Sequence, residues 1–317
     1  MSYVLLISGL VLLILGSNWL VDGASSLARR LNISDLVIGL TVVAFGTSSP
    51  ELAVNLVASF NGNTDIAIGN VLGSNIFNIL VILGITAMVM PISVKNNTVW
   101  KEIPFSLLAI IVVAFMANDV MIDGYPKNEI SRADGFVLLG FFSIFMAYTF
   151  VLAKQSGPLM ETTQKIYRLP LAIAMVVFGL AGLVIGGQFL VDGAVDIATR
   201  MGVSESVIGL TIVAAGTSMP ELATSIVAAI KKNSEIAIGN VVGSNIFNLF
   251  LILGTSASIK PLQFNDHSNI DILVVMFASI LMFLFVFTGQ GRKIGRKEGI
   301  VLFLAYIGYT VHLLINK

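Results

Sequence analysis

Long apolar stretches alternate with short polar connections along the whole chain of 317 residues. A stretch of about 20 apolar residues can cross a bilayer as a helix, and the pattern predicts ten such helices. Their approximate bounds are 3–21, 36–60, 65–92, 103–118, 135–153, 169–190, 205–230, 235–259, 270–289 and 298–315. The longest connections, 119–134 and 154–168, leave no room between helices for a soluble domain. The pattern therefore predicts an all-α integral membrane protein with a single membrane domain.

The chain also contains an internal repeat. Residues 34–84 align without a gap with residues 204–254, and 33 of the 51 positions are identical. Each unit holds five predicted helices, and an odd number makes the second unit enter the membrane from the opposite side. We therefore expect two inverted-topology repeats, at about 1–153 and 169–317, joined by a short cytoplasmic linker at about 154–168. Inverted repeats are typical of secondary transporters, which place one site between two gates.

Composition supports the membrane class. Hydrophobic residues make up 56% of the chain and charged residues 11%, which is too little polar surface to cover a soluble globule. The formal net charge is zero, so no nucleic-acid partner is expected. The chain has no cysteine, which excludes disulfides and thiolate metal sites.

The distribution of basic residues predicts the orientation, because cytoplasmic loops carry an excess of Lys and Arg. An outside N-terminus puts 13 of the 18 basic residues inside and five outside. The inside set is Arg29, Arg30, Lys95, Lys101, Lys154, Lys165, Arg168, Lys231, Lys232, Arg292, Lys293, Arg296 and Lys297. The outside set is Lys127, Arg132, Arg200, Lys260 and Lys317. We expect a multi-pass protein of the cell (plasma or inner) membrane with both termini outside.

Two acidic residues, Glu51 and Glu221, fall within predicted helices and occupy equivalent positions in the two repeats. An ionised side chain in the bilayer costs a few kcal/mol or more unless it is paired. Pro50 and Pro220 directly precede them, and proline removes a backbone donor and breaks a helix. The carbonyl groups that such breaks free must face a cavity rather than lipid. Those predicted to do so belong to Ala44, Thr47, Ala214 and Thr217.

A second motif, Gly-Asn-Val-x-Gly-Ser-Asn-Ile-Phe-Asn, also occurs once in each repeat. Its Ser74 and Asn78 are four residues apart and share a helix face, as do Ser244 and Asn248. These side chains can line the cavity or form hydrogen bonds between helices, and both readings stay open. Asp22 and Asp192, each followed by glycine, are expected at helix ends.

The candidate ligands are all oxygen atoms, which favours a hard cation. Ca²⁺ takes six to eight oxygen ligands, whereas Mg²⁺ keeps several waters. Neither His267 nor His312 lies in the repeated segments, so a soft transition metal is a poor match. Two carboxylates neutralise one Ca²⁺, and without it they repel each other unless Na⁺ or a proton takes its place.

Each of the two inverted halves contains the motif Gly-Thr-Ser-x-Pro-Glu followed by Gly-Asn-x-x-Gly-Ser-Asn-x-x-Asn. This pattern resembles the alpha repeats of the Ca²⁺/cation antiporter superfamily, in particular its prokaryotic sodium/calcium exchanger family. The resemblance implies a secondary antiporter, not an enzyme, that exchanges Ca²⁺ for Na⁺ by alternating access while its first and sixth helices slide. It implies Ca²⁺ ligands at Glu51, Glu221, Thr47 and Thr217, Na⁺ ligands at Ser48, Ser74, Ser218, Ser244 and the carbonyls of Ala44 and Ala214, and Asn78 near the centre. The expected partners are Ca²⁺, Na⁺ and the lipid bilayer, with no cofactor and no protein partner.

Asn248, the last candidate site residue, departs from a common family pattern, because many members carry Asp there. The missing carboxylate argues against K⁺ co-transport and leaves Glu51 and Glu221 as the charges of the site. K⁺-dependent Na⁺/Ca²⁺ exchange and H⁺/Ca²⁺ antiport remain alternatives. A cation channel would need an open pore. An intramembrane hydrolase would need an activated nucleophile or water, for which no intramembrane histidine is available.

Overall fold

The computed structural model describes residues 2–155, 166–201, 214–288 and 291–315, and these are almost entirely helical. The helices are α1 Ser2–Arg30, α2 Asp35–Thr47, α3 Ser49–Asn61, α4 Thr64–Val89, α5 Thr98–Met116, α6 Asp119–Asp123, α7 Arg132–Gln155, α8 Leu169–Arg200, α9 Ala214–Gly216, α10 Met219–Ile230, α11 Ser234–Ile259, α12 Ser268–Thr288 and α13 Arg296–Ile315. The strands are β1 Ile92–Ser93, β2 Glu129–Ile130, β3 Leu262–Gln263 and β4 Lys293–Ile294.

The helices confirm a multi-pass all-α membrane protein. Within the described ranges, seven helices are long and apolar enough to cross a bilayer, and the bent pair α2 and α3 brings the number to eight. The predicted helix at 205–230 is visible only from Ala214 onward, because residues 202–213 lie outside the described part of the chain. The total of ten therefore stays a prediction.

Helices α1 and α8 are longer than their predicted ranges of 3–21 and 169–190. Asp22 and Asp192 therefore lie inside helices, and the prediction that they mark helix ends was wrong. Asp22 is paired with Lys231 at 2.6 Å, and Asp192 accepts a hydrogen bond from the Gln188 amide at 2.8 Å. The apolar run stops at residue 21, but small side chains beyond it still pack on the core, as buried Ala24 and Ala28 do in α1.

Helices α1 and α8 run antiparallel and touch along their backbones. Glycines recur at seven-residue intervals at Gly9, Gly16 and Gly23 of α1 and at Gly179, Gly186 and Gly193 of α8. A Cβ atom on Gly16 would lie 2.8 Å from the carbonyl oxygen of Gly179, and one on Gly9 would lie 2.7 Å from that of Gly186. Any larger side chain would separate the helices. These equivalent helices of the two repeats thus pack as one antiparallel pair.

Two short strand pairs tie loops together at opposite ends of the bundle. Strand β1 pairs with β4 just beyond the end of α4, and Lys95 nearby forms an ion pair with Glu235. Strand β2 pairs with β3, close to Lys260, which lies beside Gly62 at the start of α4. Loops predicted to lie inside therefore meet at one end, and loops predicted to lie outside meet at the other.

Helices α4 and α11, which carry the second motif, lie at the centre. Their most apolar stretches are 83% and 94% buried, whereas those of the other long apolar helices are 17% to 39% buried. The outer helices leave most of their surface on the outside of the bundle, and the central pair is surrounded by protein. Polar motif side chains are tolerated in this position because their partners are other protein groups instead of lipid tails.

Candidate cation site between the repeats

The predicted helix breaks precede both glutamates. Helix α2 ends before Ser48, α3 begins at Ser49 with Pro50 in its first turn, and the two helices meet at a bend of 47°. In repeat two, Ser218 has a similar backbone conformation ahead of α10, which carries Pro220 in its first turn. Proline cannot donate the hydrogen bond that would continue the preceding helix. Each break brings a serine and a glutamate within one turn.

The freed carbonyl groups are partly satisfied, contrary to the simple prediction. The carbonyl oxygen of Gly46, which would have accepted from position 50, accepts the Ser49 hydroxyl at 2.6 Å. The carbonyl oxygen of Ala44 accepts the backbone N–H of Ser48 at 3.0 Å. The Thr47 hydroxyl also lies 3.4 Å from this oxygen, within reach of its second lone pair. Ala214 is the first described residue of α9, directly after the gap.

Each glutamate is bound by a serine of the opposite repeat. The Ser48 hydroxyl donates to Glu221 Oε1 at 3.0 Å, and the Ser218 hydroxyl donates to Glu51 Oε1 at 2.9 Å. Both glutamates are 1% exposed, and the ion pairs formed by the described residues include neither of them. Two acids thus face each other across the repeat interface without a basic partner.

Several more oxygen atoms of the two motifs are buried and have no hydrogen-bond partner among the described residues. They are Glu51 Oε2, Glu221 Oε2, Asn78 Oδ1 and Asn248 Oδ1. Buried polar atoms in proteins are nearly always paired, so a group of exceptions at one place requires an explanation. A cation is the partner that such a group of oxygen atoms lacks.

The other predicted residues gather at the same place. Ser74 Oγ lies 3.4 Å from Ser218 Oγ. Ser244 lies beside the Glu221 carboxyl group, and Thr217 lies beside that of Glu51. The Thr47 hydroxyl is 3.0 Å from Asn240 Oδ1. All of these residues come from the broken helices or from the central helices α4 and α11.

The two motif asparagines lie in π-helical turns. Asn78 opens the π-helical segment Asn78–Leu83, and Asn248 lies in the equivalent segment Phe247–Ile252. The Asn78 side chain donates to Asn245 Oδ1 at 3.0 Å, and its own buried Oδ1 has no partner among the described residues. Such π-helical turns redirect side chains and are frequent at functional sites.

Residue spacing alone missed the asparagines that hold the glutamate backbone. The Asn70 amide donates to the carbonyl oxygen of Glu51, and the Asn240 amide donates to that of Glu221, both at 3.3 Å. Asn245, which contacts Asn78, was missed as well. The signal that could have found them is the repeat itself, because these asparagines are identical in both copies.

Helix α11 packs closely on α2. Ile236 is fully buried, and a Cβ atom on Gly239 would lie 3.1 Å from the carbonyl oxygen of Leu36. The repeat equivalents of the α2 residues in this contact, 206–210, lie outside the described residues.

The chemistry of the arrangement suits a hard cation. No cluster of three or more His, Cys, Asp or Glu side chains occurs in the described part of the chain. The site therefore offers two carboxylates together with neutral hydroxyl, amide and carbonyl oxygens, which is the ligand type that Ca²⁺ and Na⁺ prefer. Its net charge would match one divalent ion.

Comparisons with known proteins agree with this chemistry. Residues 1–151 and 171–315 match the family described as sodium/calcium exchanger protein. The chain is similar to the putative antiporter CaxA of Alkalimonas amylolytica, with 41% identity over 95% of both chains. It is also similar to the sodium/calcium exchanger MaX1 of Methanosarcina acetivorans, with 34% identity over 98% of this chain and 97% of the relative. A solved structure of the sodium-calcium exchanger NCX_Mj is 35% identical, covers 98% of this chain and 97% of its own, and superposes with a TM-score of 0.83.

Proposed function

Because this chain belongs to the sodium/calcium exchanger family, we propose that it is a secondary antiporter that exchanges Ca²⁺ for Na⁺ by alternating access. The observation that carries this proposal is the buried pair Glu51 and Glu221, each bound by a serine of the opposite repeat and neither in an ion pair among the described residues. A mobile cation can neutralise the pair, and Na⁺ ions can replace it. The two ions then compete for one site, which couples their movements.

The ligand set of this site comes from both repeats. Glu51, Glu221, Thr47 and Thr217 bind Ca²⁺, and Ser48, Ser74, Ser218, Ser244 and the carbonyls of Ala44 and Ala214 help to bind Na⁺, with Asn78 and Asn248 at the centre. The group of buried oxygen atoms without partners supports this assignment. Because neither repeat supplies the whole set, a movement between the repeats would change the affinity of the site.

The proposed topology has ten spans in two inverted five-helix repeats, with both termini outside the cell membrane. The antiparallel packing of α1 and α8 supports the inversion. The excess of basic residues at the end of the bundle that holds β1 and β4 supports a cytoplasmic position for that end. The close contact of Gly239 with α2 then lies on the inner half.

Alternating access requires the site to open to one side at a time. Helices α1 and α8 pack closely at their glycines along most of their length, which suits a pair that moves as one body. We expect this pair to slide past the central helices, where α4 and α11 hold the site.

The experiment that tests the function is uptake of ⁴⁵Ca²⁺ into vesicles that contain the purified protein, with one imposed gradient at a time. A Na⁺ gradient should drive uptake, while a K⁺ or pH gradient alone should not. Uptake that saturates and stops without internal Na⁺ supports an antiporter. Uptake driven by a proton or K⁺ gradient would favour one of the alternative exchangers, and uptake without any counter-ion would favour a channel.

We expect the exchange to be independent of K⁺ and to respond to membrane potential. The two glutamates balance one Ca²⁺, so a family-like exchange of more than two Na⁺ for each Ca²⁺ moves net charge. The measurement is ⁴⁵Ca²⁺ uptake into vesicles that are clamped at different membrane potentials in a K⁺-free buffer. An absolute requirement for K⁺, or a flux that does not change with membrane potential, would contradict the interpretation that Asn248 leaves Glu51 and Glu221 as the only charges of the site.

Asn248→Asp should lower the exchange rate by about tenfold or make it depend on pH or K⁺, because a third carboxylate in a buried site must take up a proton or another cation. The matched control is Asn269→Asp, which adds the same charge at a pair with Asn118 away from the glutamates. Equal behaviour of the two variants would contradict the prediction.

A further inference from the structure

A third buried acid in the described part of the chain lies outside the site formed by Glu51 and Glu221. Glu102, in the first turns of α5, is 0% exposed, and its Oε1 accepts the hydroxyl hydrogen of Tyr148 from α7. Its other oxygen, Oε2, is buried and has no hydrogen-bond partner among the described residues. An ionisable residue within a membrane-spanning helix is costly and is usually functional. Glu102 therefore requires a partner that neutralises it.

A second unpaired group lies next to this carboxyl group. The side chain of Thr98 is beside Glu102 and is 1% exposed, and its Oγ1 also has no hydrogen-bond partner within the described ranges. Both residues belong to the π-helical turn Thr98–Glu102 that opens α5, and such turns are frequent at functional sites. Two neighbouring buried polar groups without partners are rare in folded proteins.

No basic side chain neutralises Glu102, because the ion pairs among the described residues do not include it. The charged side chains near the inner end of α5 and of the helices packed around it are Lys95, Lys101, Lys154 and Glu235. Lys95 is paired with Glu235 at 2.5 Å, and Nζ of the exposed Lys101 lies 5.8 Å from the centre of the Tyr148 ring. The counter-charge of Glu102 must therefore come from a bound cation.

A proton satisfies both unpaired groups at once. A protonated carboxyl oxygen becomes a donor, so Glu102 Oε2 can donate to Thr98 Oγ1 while Oε1 still accepts from Tyr148. A metal ion such as Ca²⁺ takes six to eight oxygen ligands, and this group offers one carboxylate and two hydroxyl groups. The neutral acid is also the form that burial favours.

The two helices that this group joins also support the cation site. Phe105 of α5 lies 5.6 Å from Phe250, measured between ring centres, and Phe142 of α7 lies 5.0 Å from Phe247. Both partners belong to the π-helical segment Phe247–Ile252, which carries Asn248. A change in how α5 packs on α7 therefore reaches a candidate ligand of the cation site.

We propose that Glu102, Thr98 and Tyr148 form a proton-binding site near the inner end of the protein, and that the bound proton supports exchange by joining α5 to α7. Loss of the proton leaves an unpaired charge between the two helices and removes the donor to Thr98. The proton site itself does not depend on the proposed exchange function, whereas its effect on exchange rests on that function.

Infrared difference spectroscopy of the purified protein at neutral pH tests the site, because a protonated carboxylic acid and a carboxylate absorb at different frequencies. The spectrum of the parent protein minus that of Glu102→Gln should contain the C=O stretch of a carboxylic acid. Tyr148→Phe should keep this band and shift it to higher frequency, because the carbonyl oxygen loses a hydrogen bond. The matched control is Asp271→Asn, at a similar pair with Tyr309 in which the acid is partly exposed and should give no such band.

Na⁺-driven ⁴⁵Ca²⁺ uptake at different pH values, equal on both sides of the vesicle membrane, tests the effect on exchange. Raising the pH from about 7 to about 9 should remove the proton from Glu102 and lower the initial rate of the parent protein by about fivefold, the effect of about one hydrogen bond. Glu102→Gln stays neutral, so its rate should not fall over this range. Protonation of Glu51 and Glu221 acts with the opposite sign, because protons compete with the transported cations and slow exchange at low pH.

Absence of the acid band from the difference spectrum of Glu102→Gln would overturn the proton site. Identical pH profiles of the parent protein and Glu102→Gln would overturn the effect on exchange. If Glu102→Gln does not fold, the frequency shift in Tyr148→Phe identifies the same band. The infrared measurement requires no transport, so the band in a protein that does not exchange Ca²⁺ would support the proton site and reject the proposed function.

Discussion

Glu51→Gln and Glu221→Gln should each abolish Na⁺-driven Ca²⁺ transport, with a fall in initial rate of about 100-fold or more. Glutamine keeps the shape of the side chain but removes one of the two charges that balance a divalent ion. Leaving one buried charge without its partner costs about 3 kcal/mol or more, which corresponds to that factor. The measurement is ⁴⁵Ca²⁺ uptake into vesicles that contain equal amounts of each variant.

The control for these variants is Glu129→Gln. Glu129, in strand β2, forms a partly exposed ion pair with Lys127, and pairs of this kind contribute little to stability. Its exchange rate should equal that of the parent protein. Substantial exchange in either Glu51→Gln or Glu221→Gln would show that the pair is not the cation site, whatever the family of the protein.

Gly16→Val should destabilise the protein strongly. A Cβ atom at this position would lie 2.8 Å from the carbonyl oxygen of Gly179 and 2.9 Å from the backbone nitrogen of Leu183. Backbone atoms of a long helix cannot move aside as a flexible side chain can, so α1 and α8 must separate. Overpacking in a tight core costs about 1–3 kcal/mol and sometimes more. The midpoint of thermal unfolding in detergent should fall by roughly 6 °C or more.

Gly140→Val is the matched control, because it makes the same change in an α-helix at an exposed position. A Cβ atom on Gly140 would meet no atom within 4 Å, so the variant changes helix propensity without a clash. Its thermal unfolding should stay close to that of the parent protein. If Gly16→Val were equally stable, the close packing of α1 on α8 would not contribute to the fold.

The asparagines show where reasoning from the sequence stopped short. Spacing alone placed Ser74 and Asn78 on one helix face, and the structure puts both near the repeat interface. Spacing could not reveal that Asn240 accepts a hydrogen bond from Thr47, because the two residues are 193 positions apart. Which distant groups meet depends on how the repeats pack, and a repeat alignment relates only equivalent positions.

The sequence by itself determined the class of protein, the repeat and the two acidic positions. A bilayer is crossed by long apolar helices, so membrane-spanning segments can be recognised from composition. A charged residue within such a segment is noticeable because an ionised side chain in the bilayer costs free energy. The sequence also predicted the helix breaks, because proline lacks the backbone N–H that would continue the helix. The freed carbonyl groups were harder to predict. The Ser49 hydroxyl donates to the carbonyl oxygen of Gly46, whereas its repeat equivalent Met219 has no hydroxyl group.

Only the tertiary structure decided which hydroxyl faces which carboxylate. Gly239 touches the backbone of α2, and Ser48 and Ser218 each donate to the glutamate of the opposite repeat. These contacts join residues that are far apart in the chain, so they depend on how the repeats pack. A sequence repeat relates equivalent positions and does not specify which positions of the two copies meet.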